Sequence, residues 1–287
     1  MLERPFLFKY LRYKILVLYF ILEYIDILAG YMKLQFSQVT KSFGDLNVIK
    51  QFDTSIADGE IVALVGPSGC GKSTLLHMLA GLQLPSSGSL TADGASVAKP
   101  SPERTLVFQE HALYPWMTLR DNVSLALEFQ SQPRKDSLKE AEKWLARVQL
   151  AGFKDYYPHQ VSGGMRQRCA LARAFIARPK VLLLDEPFGA LDALTRMTLQ
   201  SVLKDLIEEE RPTVVLVTHD VDEALYLADR VMVFSQRPAT VLREVELGHI
   251  PKTHDLTAFA DVRREVLSLL GIDTDLHEPK DSEGEIA

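Results

Sequence analysis

The most chemically loaded string in the chain is glycine-rich and ends in a lysine and two hydroxyl residues. Gly66, Pro67, Ser68, Gly69, Cys70, Gly71, Lys72, Ser73 and Thr74 fit the pattern G-x-x-x-x-G-K-[ST]. Those residue types suit phosphate. Glycines let successive backbone N–H groups curl around oxygens where side chains would collide, and a helix that follows turns its positive end toward the same anion. Lys72 is placed to neutralise β- and γ-phosphates, and Ser73 to ligate Mg²⁺. Cys70 has two readings: a thiol with a lowered pKa near a helix N-terminus, or a small filler in the loop. A second string, Val181-Leu-Leu-Leu-Asp185-Glu186, is an aliphatic run that ends in two acids. A buried strand there delivers both carboxylates to its C-terminal edge, where open α/β sheets place ligands. Asp185 suits a Mg²⁺ contact through water, and Glu186 suits a general base that polarises an attacking water.

Both strings need a scaffold, and the text between them supplies one. Short apolar runs alternate with helical patterns from Leu34 onward, as a parallel sheet covered by helices requires. Glu60 to Val65 is predicted as the strand before the phosphate loop, and Ser73 to Leu82 as the helix after it. Thr105 to Phe108, Val181 to Leu184 and Thr213 to Val217 are further β-rich core strands. Between Glu110 and Ala177 the signals turn helical. There Ala141, Trp144, Leu145 and Val148 recur at i, i+3, i+4 and i+7, a stripe assigned to core packing. Thr257 to Leu270 is predicted as one closing amphipathic helix.

The whole chain narrows the setting. Its 287 residues suffice for a sizeable core, and a net charge of −6 argues against nucleic acid as a partner. Two cysteines, Cys70 and Cys169, are too few for a disulfide framework, which suits a reducing cytoplasm. Residues 1–31 differ from the rest. The run from Ile15 to Leu22 is too short for a membrane span, which needs about 20 mostly apolar residues, and no convincing cleavage site follows it. Two readings stay open: a non-native start upstream of Met32, or an amphipathic helix lying on a membrane surface. The tail at 271–287 is expected to be acidic and flexible.

From Met32 to about Leu270 the chain resembles the ATP-binding-cassette (ABC) ATPases. Val161-Ser-Gly-Gly-Met165 is similar to the family's signature loop, Gln109 to its Q-loop glutamine, Gly189-Ala-Leu-Asp192 to its D-loop, and His219 to its switch histidine, in the family's order. Phe43 stands where the family's adenine-stacking aromatic stands. The resemblance implies a P-loop NTPase (RecA-like) α/β core over 32–270, with an antiparallel β subdomain and an inserted helical subdomain at about 110–177. It implies ATP and Mg²⁺ as cofactors, with Ser73, Gln109 and Asp185 at the metal. Glu186, His219 and Gln109 become the catalytic set. The family clamps each ATP between two cassettes, so Ser162, Gly163 and Gly164 of one copy would complete the pocket of another, with Asp192 linking the two sites. The signature's usual fifth residue is glutamine; here it is Met165, which lacks that polar group but leaves the backbone donors in place.

Two further strings resemble the nitrate, sulfonate and taurine importer group: Leu113-Tyr-Pro-Trp116 after the Q-loop, and Gly163-Gly-Met-Arg166 with Pro187-Phe-Gly-Ala-Leu-Asp-Ala-Leu-Thr195. That group implies an ATPase coupled to transmembrane transport, peripheral at the cytoplasmic face of the inner membrane. Its partners would be a second cassette, integral membrane permease subunits, and a periplasmic or lipid-anchored solute-binding protein. The regulatory β-domain of sugar-type import ATPases is expected to be absent. An export or lipoprotein-release ATPase, and a non-transport ABC ATPase, are the alternatives. The group implies a small solute as cargo, an oxyanion such as nitrate, taurine or an alkanesulfonate, with cyanate, bicarbonate and vitamin precursors as alternatives among which the chain does not decide.

Overall fold

The computed structural model describes residues 32–272 apart from His111, Ala190 and His249. The two readings of residues 1–31, and most of the 271–287 tail, lie outside the described residues. The described residues open with an antiparallel sheet of β1 (Leu34–Phe43), β2 (Leu46–Ile56), β4 (Ser87–Ala92) and β5 (Ala95–Ser96), in the order β2-β1-β4-β5. A second sheet joins β3 (Ile61–Val65), β6 (Arg104–Val107), β7 (Val181–Asp185), β8 (Thr213–Thr218), β9 (Arg230–Phe234) and β10 (Val241–Glu246). Its order is β10-β9-β3-β8-β7-β6, parallel from β9 to β6, with β10 antiparallel on the edge.

The near-continuous aliphatic runs of β3, β7 and β8 follow from burial on both faces. Leu64, Leu183, Val217 and Phe234 point into a core shared with the antiparallel sheet and with α1 (Lys72–Leu79). Their neighbours Val65, Leu184, Leu216 and Val233 point the other way, into the helical core. Each such fully buried Leu or Val contributes roughly 1.5–3 kcal/mol. The phosphate-loop helix is shorter than its sequence pattern. Gly81 turns the chain at φ +75°, and the Leu82 N–H closes back on the His77 carbonyl at 2.9 Å, which ends the helix at the C-cap Ala80.

Between β6 and β7 lie α2 (Leu119–Glu128), α3 (Arg134–Arg147) and α4 (Gly163–Phe175). The stripe of Ala141, Trp144, Leu145 and Val148 is buried, and Trp144 stacks on Phe175 of α4 with ring centroids 6.1 Å apart. Then come α5 (Ala193–Glu210), α6 (Val221–Leu227) and α7 (Ala260–Leu269). The closing segment is broken: a 3₁₀ turn at Leu256–Phe259, begun by the Asp255 carboxylate accepting the Thr257 N–H, precedes α7.

Candidate functional site

The phosphate loop joins β3 to α1, and α1 begins with its donors free. Thr118, Ser162, Asp192 and Asp220 each cap the next helix with their own side chains, but Gly71 offers no cap to α1. The first N–H groups of α1 are therefore left for an outside anion. Gly71 sits at φ +128°, and a Cβ there would lie 2.9 Å from Val48 Cγ1 of β2. Glycine alone keeps the loop pressed against that strand. Lys72 is 4% exposed, and its ammonium donates to the Gly66 carbonyl at 2.7 Å and the Pro67 carbonyl at 3.0 Å. The cation is thus held inside the loop that a phosphate would enter.

Ser73 Oγ donates to Asp185 Oδ1 at 2.9 Å, so the hydroxyl after the lysine meets the acid at the end of β7. Burial pushes the Asp185 carboxyl above its ordinary range, opposed by the Ser73 hydrogen bond and by Lys72. This half-buried carboxylate is under-compensated, which suits a cation beside it. Among the described residues no group of three or more His, Cys, Asp or Glu side chains could hold a metal. A hydroxyl and a single carboxylate fit Mg²⁺, which takes hard oxygen donors and is held by few protein groups together with phosphates.

Glu186 follows in a left-handed conformation, φ +44°. Such strain costs a non-glycine residue on the order of 1–3 kcal/mol and collects at functional sites. The Glu186 N–H donates to the Val217 carbonyl at 2.9 Å, which holds this backbone at the strand end. Its Oε2 accepts from Gln109 Nε2 at 3.4 Å and lies 3.1 Å from His219 Nδ1. Glu186, Gln109 and His219, drawn from three separate strand ends, therefore converge on one oxygen. Gln109 turns its amide nitrogen to Glu186.

Other candidates stand apart from this centre. Ser162 is exposed and caps α4, its Oγ accepting the Met165 N–H at 3.3 Å, so that donor is already engaged. Gly164 is buried against α5, where a Cβ would come 2.5 Å from Thr195 Cγ2. Among the described residues no hydrogen bond joins Ser162, Gly163 or Gly164 to the phosphate loop. Phe43, at the end of β1, is 47% exposed with the Lys41 ammonium 4.9 Å from its ring centre; it is no core residue. Asp192 caps α5 through the Thr195 N–H, a bond that lowers its pKa.

The same ground is covered by known proteins. The ABC transporter family pattern matches residues 49–189. The aliphatic sulfonates import ATP-binding protein SsuB of Bacillus cereus is 41% identical over 241 residues, which is 82% of this chain and 95% of that one. The chain belongs to the ABC transporter family. An uncharacterised ABC transporter ATP-binding protein of Methanocaldococcus jannaschii is 41% identical over 83% of this chain and 91% of its own. Among solved structures, the dimeric structure of the bacterial ABC transporter cassette MJ0796 aligns with a TM-score of 0.67 at 33% identity, covering 75% of this chain and 98% of the cassette. A dimeric post-hydrolysis state of that cassette, bound to ADP and Pi, aligns at 0.65 and 32%, with the same coverage. The fold class expected from the sequence is borne out, and the chain is an ATP-binding ABC ATPase.

Near this ABC site the structure shows a buried acid that the sequence does not reveal. Glu223, on α6 behind His219, is 4% exposed, and its Oε1 has no hydrogen-bond partner among the described residues. Burial pushes its carboxyl up to about 8; Asp220 adds to the rise, while a Thr218 hydrogen bond and Arg196 oppose it. A carboxyl whose folded pKa lies above the ordinary 4.5 binds more protons folded than unfolded. Stability therefore falls as pH rises from that value toward the folded pKa, and levels off above it. Glu223→Gln, which stays neutral, is expected to be more stable than wild type by on the order of 3 kcal/mol near pH 7, with little difference near pH 4.5. Denaturant melts at acidic, neutral and alkaline pH check this. A difference that does not change with pH contradicts it.

Proposed function

We propose that the chain is the motor of an importer for small oxyanions, with alkanesulfonates first and nitrate or taurine next. Two copies close around two ATP molecules, each nucleotide lying between the phosphate loop of one and Ser162, Gly163 and Gly164 of the other. The observation that carries this reading is the convergence of Gln109 and His219 on Glu186 Oε2, beside the Ser73–Asp185 pair. Phe43 stacks on the adenine. The backbone of Gly66 to Thr74 and the Lys72 ammonium bind the phosphates. Ser73, Asp185 and Gln109 would hold Mg²⁺, which when bound neutralises charge on the β- and γ-phosphate oxygens. Glu186 takes a proton from the attacking water as the water oxygen bonds to the γ-phosphorus, and the bond to the β–γ bridging oxygen breaks. Gln109 and His219 hold the carboxylate in place for that transfer. Loss of the γ-phosphate removes the contact between copies, and the pair reopens, a population shift driven by differential contacts.

No helix among the described residues is long and apolar enough to cross a membrane. The coupling surface is instead a groove of about 420 Å³ lined by Leu106, Phe108, Tyr114, Ala126 and Phe129. Trp116 stands beside Tyr114 on the rim at 71% exposure, too open for subdomain core. A short cytoplasmic helix of a permease fits an apolar groove of this kind. The importer direction and the cargo class are supported by the SsuB relatives' names and by the Leu113-Tyr-Pro-Trp116 string. Cells lacking the chain are expected to lose uptake of a labelled alkanesulfonate and to regain it with the wild-type chain but not with Glu186→Gln. Uptake that persists without the chain overturns the cargo assignment.

A further inference from the structure

One side chain connects the D-loop to the segment that carries His219. Arg196 lies in the first turn of α5, four residues after Asp192. Its Nη2 reaches back to the Leu191 carbonyl at 3.1 Å, and its Nη1 reaches across to Asp220 Oδ2 at 2.9 Å. Asp220 follows His219 directly and is itself fixed: its Oδ1 accepts the N–H groups of Asp222 at 2.9 Å and Glu223 at 3.2 Å, and so caps α6. Its own N–H donates to Thr218 Oγ1 at 3.0 Å. The Arg196 Nε is buried with no partner among the described residues, so this guanidinium spends its bonds on two loops.

From this juxtaposition we infer that Arg196 is a positioning residue that ties the D-loop to the switch-histidine segment, so that contact between cassettes at Asp192 sets the hydrogen bond between His219 and Glu186. The inference rests on the paired-cassette reading above. Three features support a mechanical link over a simple surface ion pair. A guanidinium is a rigid planar fork, so the spacing of its two acceptors is fixed. The pair is only a third exposed or less, at 33% and 27%. Both acceptors belong to the connecting segments themselves: Leu191 precedes the α5 cap, and Asp220 is the α6 cap. A displacement of the D-loop backbone then moves Asp220, and His219 moves with it.

Steady-state turnover against ATP concentration tests this, with wild type beside Arg196→Ala, Arg196→Lys and Asp220→Asn. Lysine keeps the charge but has a single nitrogen with which to span two acceptors, and asparagine still caps α6. Each variant is expected to lose about tenfold in kcat and to show a Hill coefficient falling toward about 1. ATP affinity, measured in a Glu186→Gln background, should stay within about twofold. Arg196→Ala combined with Asp220→Asn should cost no more than either alone, as for two members of one unit. If kcat falls only as far as thermal stability falls, with the Hill coefficient unchanged, Arg196 is a structural tie and the inference is overturned. Losses that add in the double variant overturn it too. A wild-type chain that stays single and non-cooperative with ATP sinks the paired reading instead, whereas a cooperative wild type beside equally cooperative variants sinks only the role given to Arg196. Should the alanine variant fail to fold, Arg196→Lys and Asp220→Asn carry the test.

Discussion

Replacing Glu186 by glutamine is expected to cut ATP turnover by about 10²-fold or more while ATP binding stays close to wild type. The two side chains have the same length and nearly the same shape, so the amide can occupy the carboxylate's position. Its oxygen can still accept from Gln109 Nε2 and His219 Nδ1, the two groups that now face Glu186 Oε2 at 3.4 and 3.1 Å. The left-handed backbone at φ +44° is no harder for glutamine than for glutamate. What the amide lacks is the capacity to accept a proton from water. The variant therefore isolates proton transfer from packing, and phosphate release measured beside direct ATP titration reads the two separately. A fall in binding to match the fall in turnover would mean that Glu186 shapes the pocket and does not serve as the base. Unchanged turnover removes it from the chemistry altogether.

Much of this centre is legible in the chain because its parts lie at strand ends. β7 and β8 are buried on both faces, so Val181 to Leu184 and Val214 to Val217 show as unbroken aliphatic runs, and the residues after them stand at the sheet's C-terminal edge. The phosphate loop is legible for a different reason: Gly71 cannot carry a side chain beside Val48, and a residue type forced by geometry leaves a pattern. The Arg196 contacts leave none. A long side chain reaches Asp220 from 24 positions away, and no periodicity records which way it turns. Glu223 is hidden by its type, since an acid in the first turn of a short helix reads as a solvated group near a helix N-terminus. Only the packing of α6 against the helical core shows it buried. Trp116 reads from the chain in two ways, as a rim aromatic after the Q-loop or as subdomain core, and its exposure favours the rim.

Ser162→Arg is expected to leave each chain able to bind ATP and to abolish ATP-driven pairing. In a single chain Ser162 is exposed, and it bonds neither Lys72 nor Ser73. An arginine there can be accommodated by the isolated cassette, and the phosphate loop is untouched. Its cost to that cassette is the lost α4 cap, about 1 kcal/mol, which Ser162→Ala reproduces without the added bulk. In the proposed pair the same position faces the other copy's γ-phosphate, and the arginine side chain would fill the space where the nucleotide lies. Its positive charge alone would favour a phosphate, so a failure to pair reports lost fit and not repulsion. With turnover blocked by Glu186→Gln, size-exclusion chromatography in Mg·ATP should show dimers for the parent chain, dimers of reduced stability for Ser162→Ala, and single chains for Ser162→Arg, each binding ATP with similar affinity. Dimers that persist in the arginine variant would place the signature loop away from the nucleotide. Pairing would then need another surface, and the convergence on Glu186 would have to work within one chain.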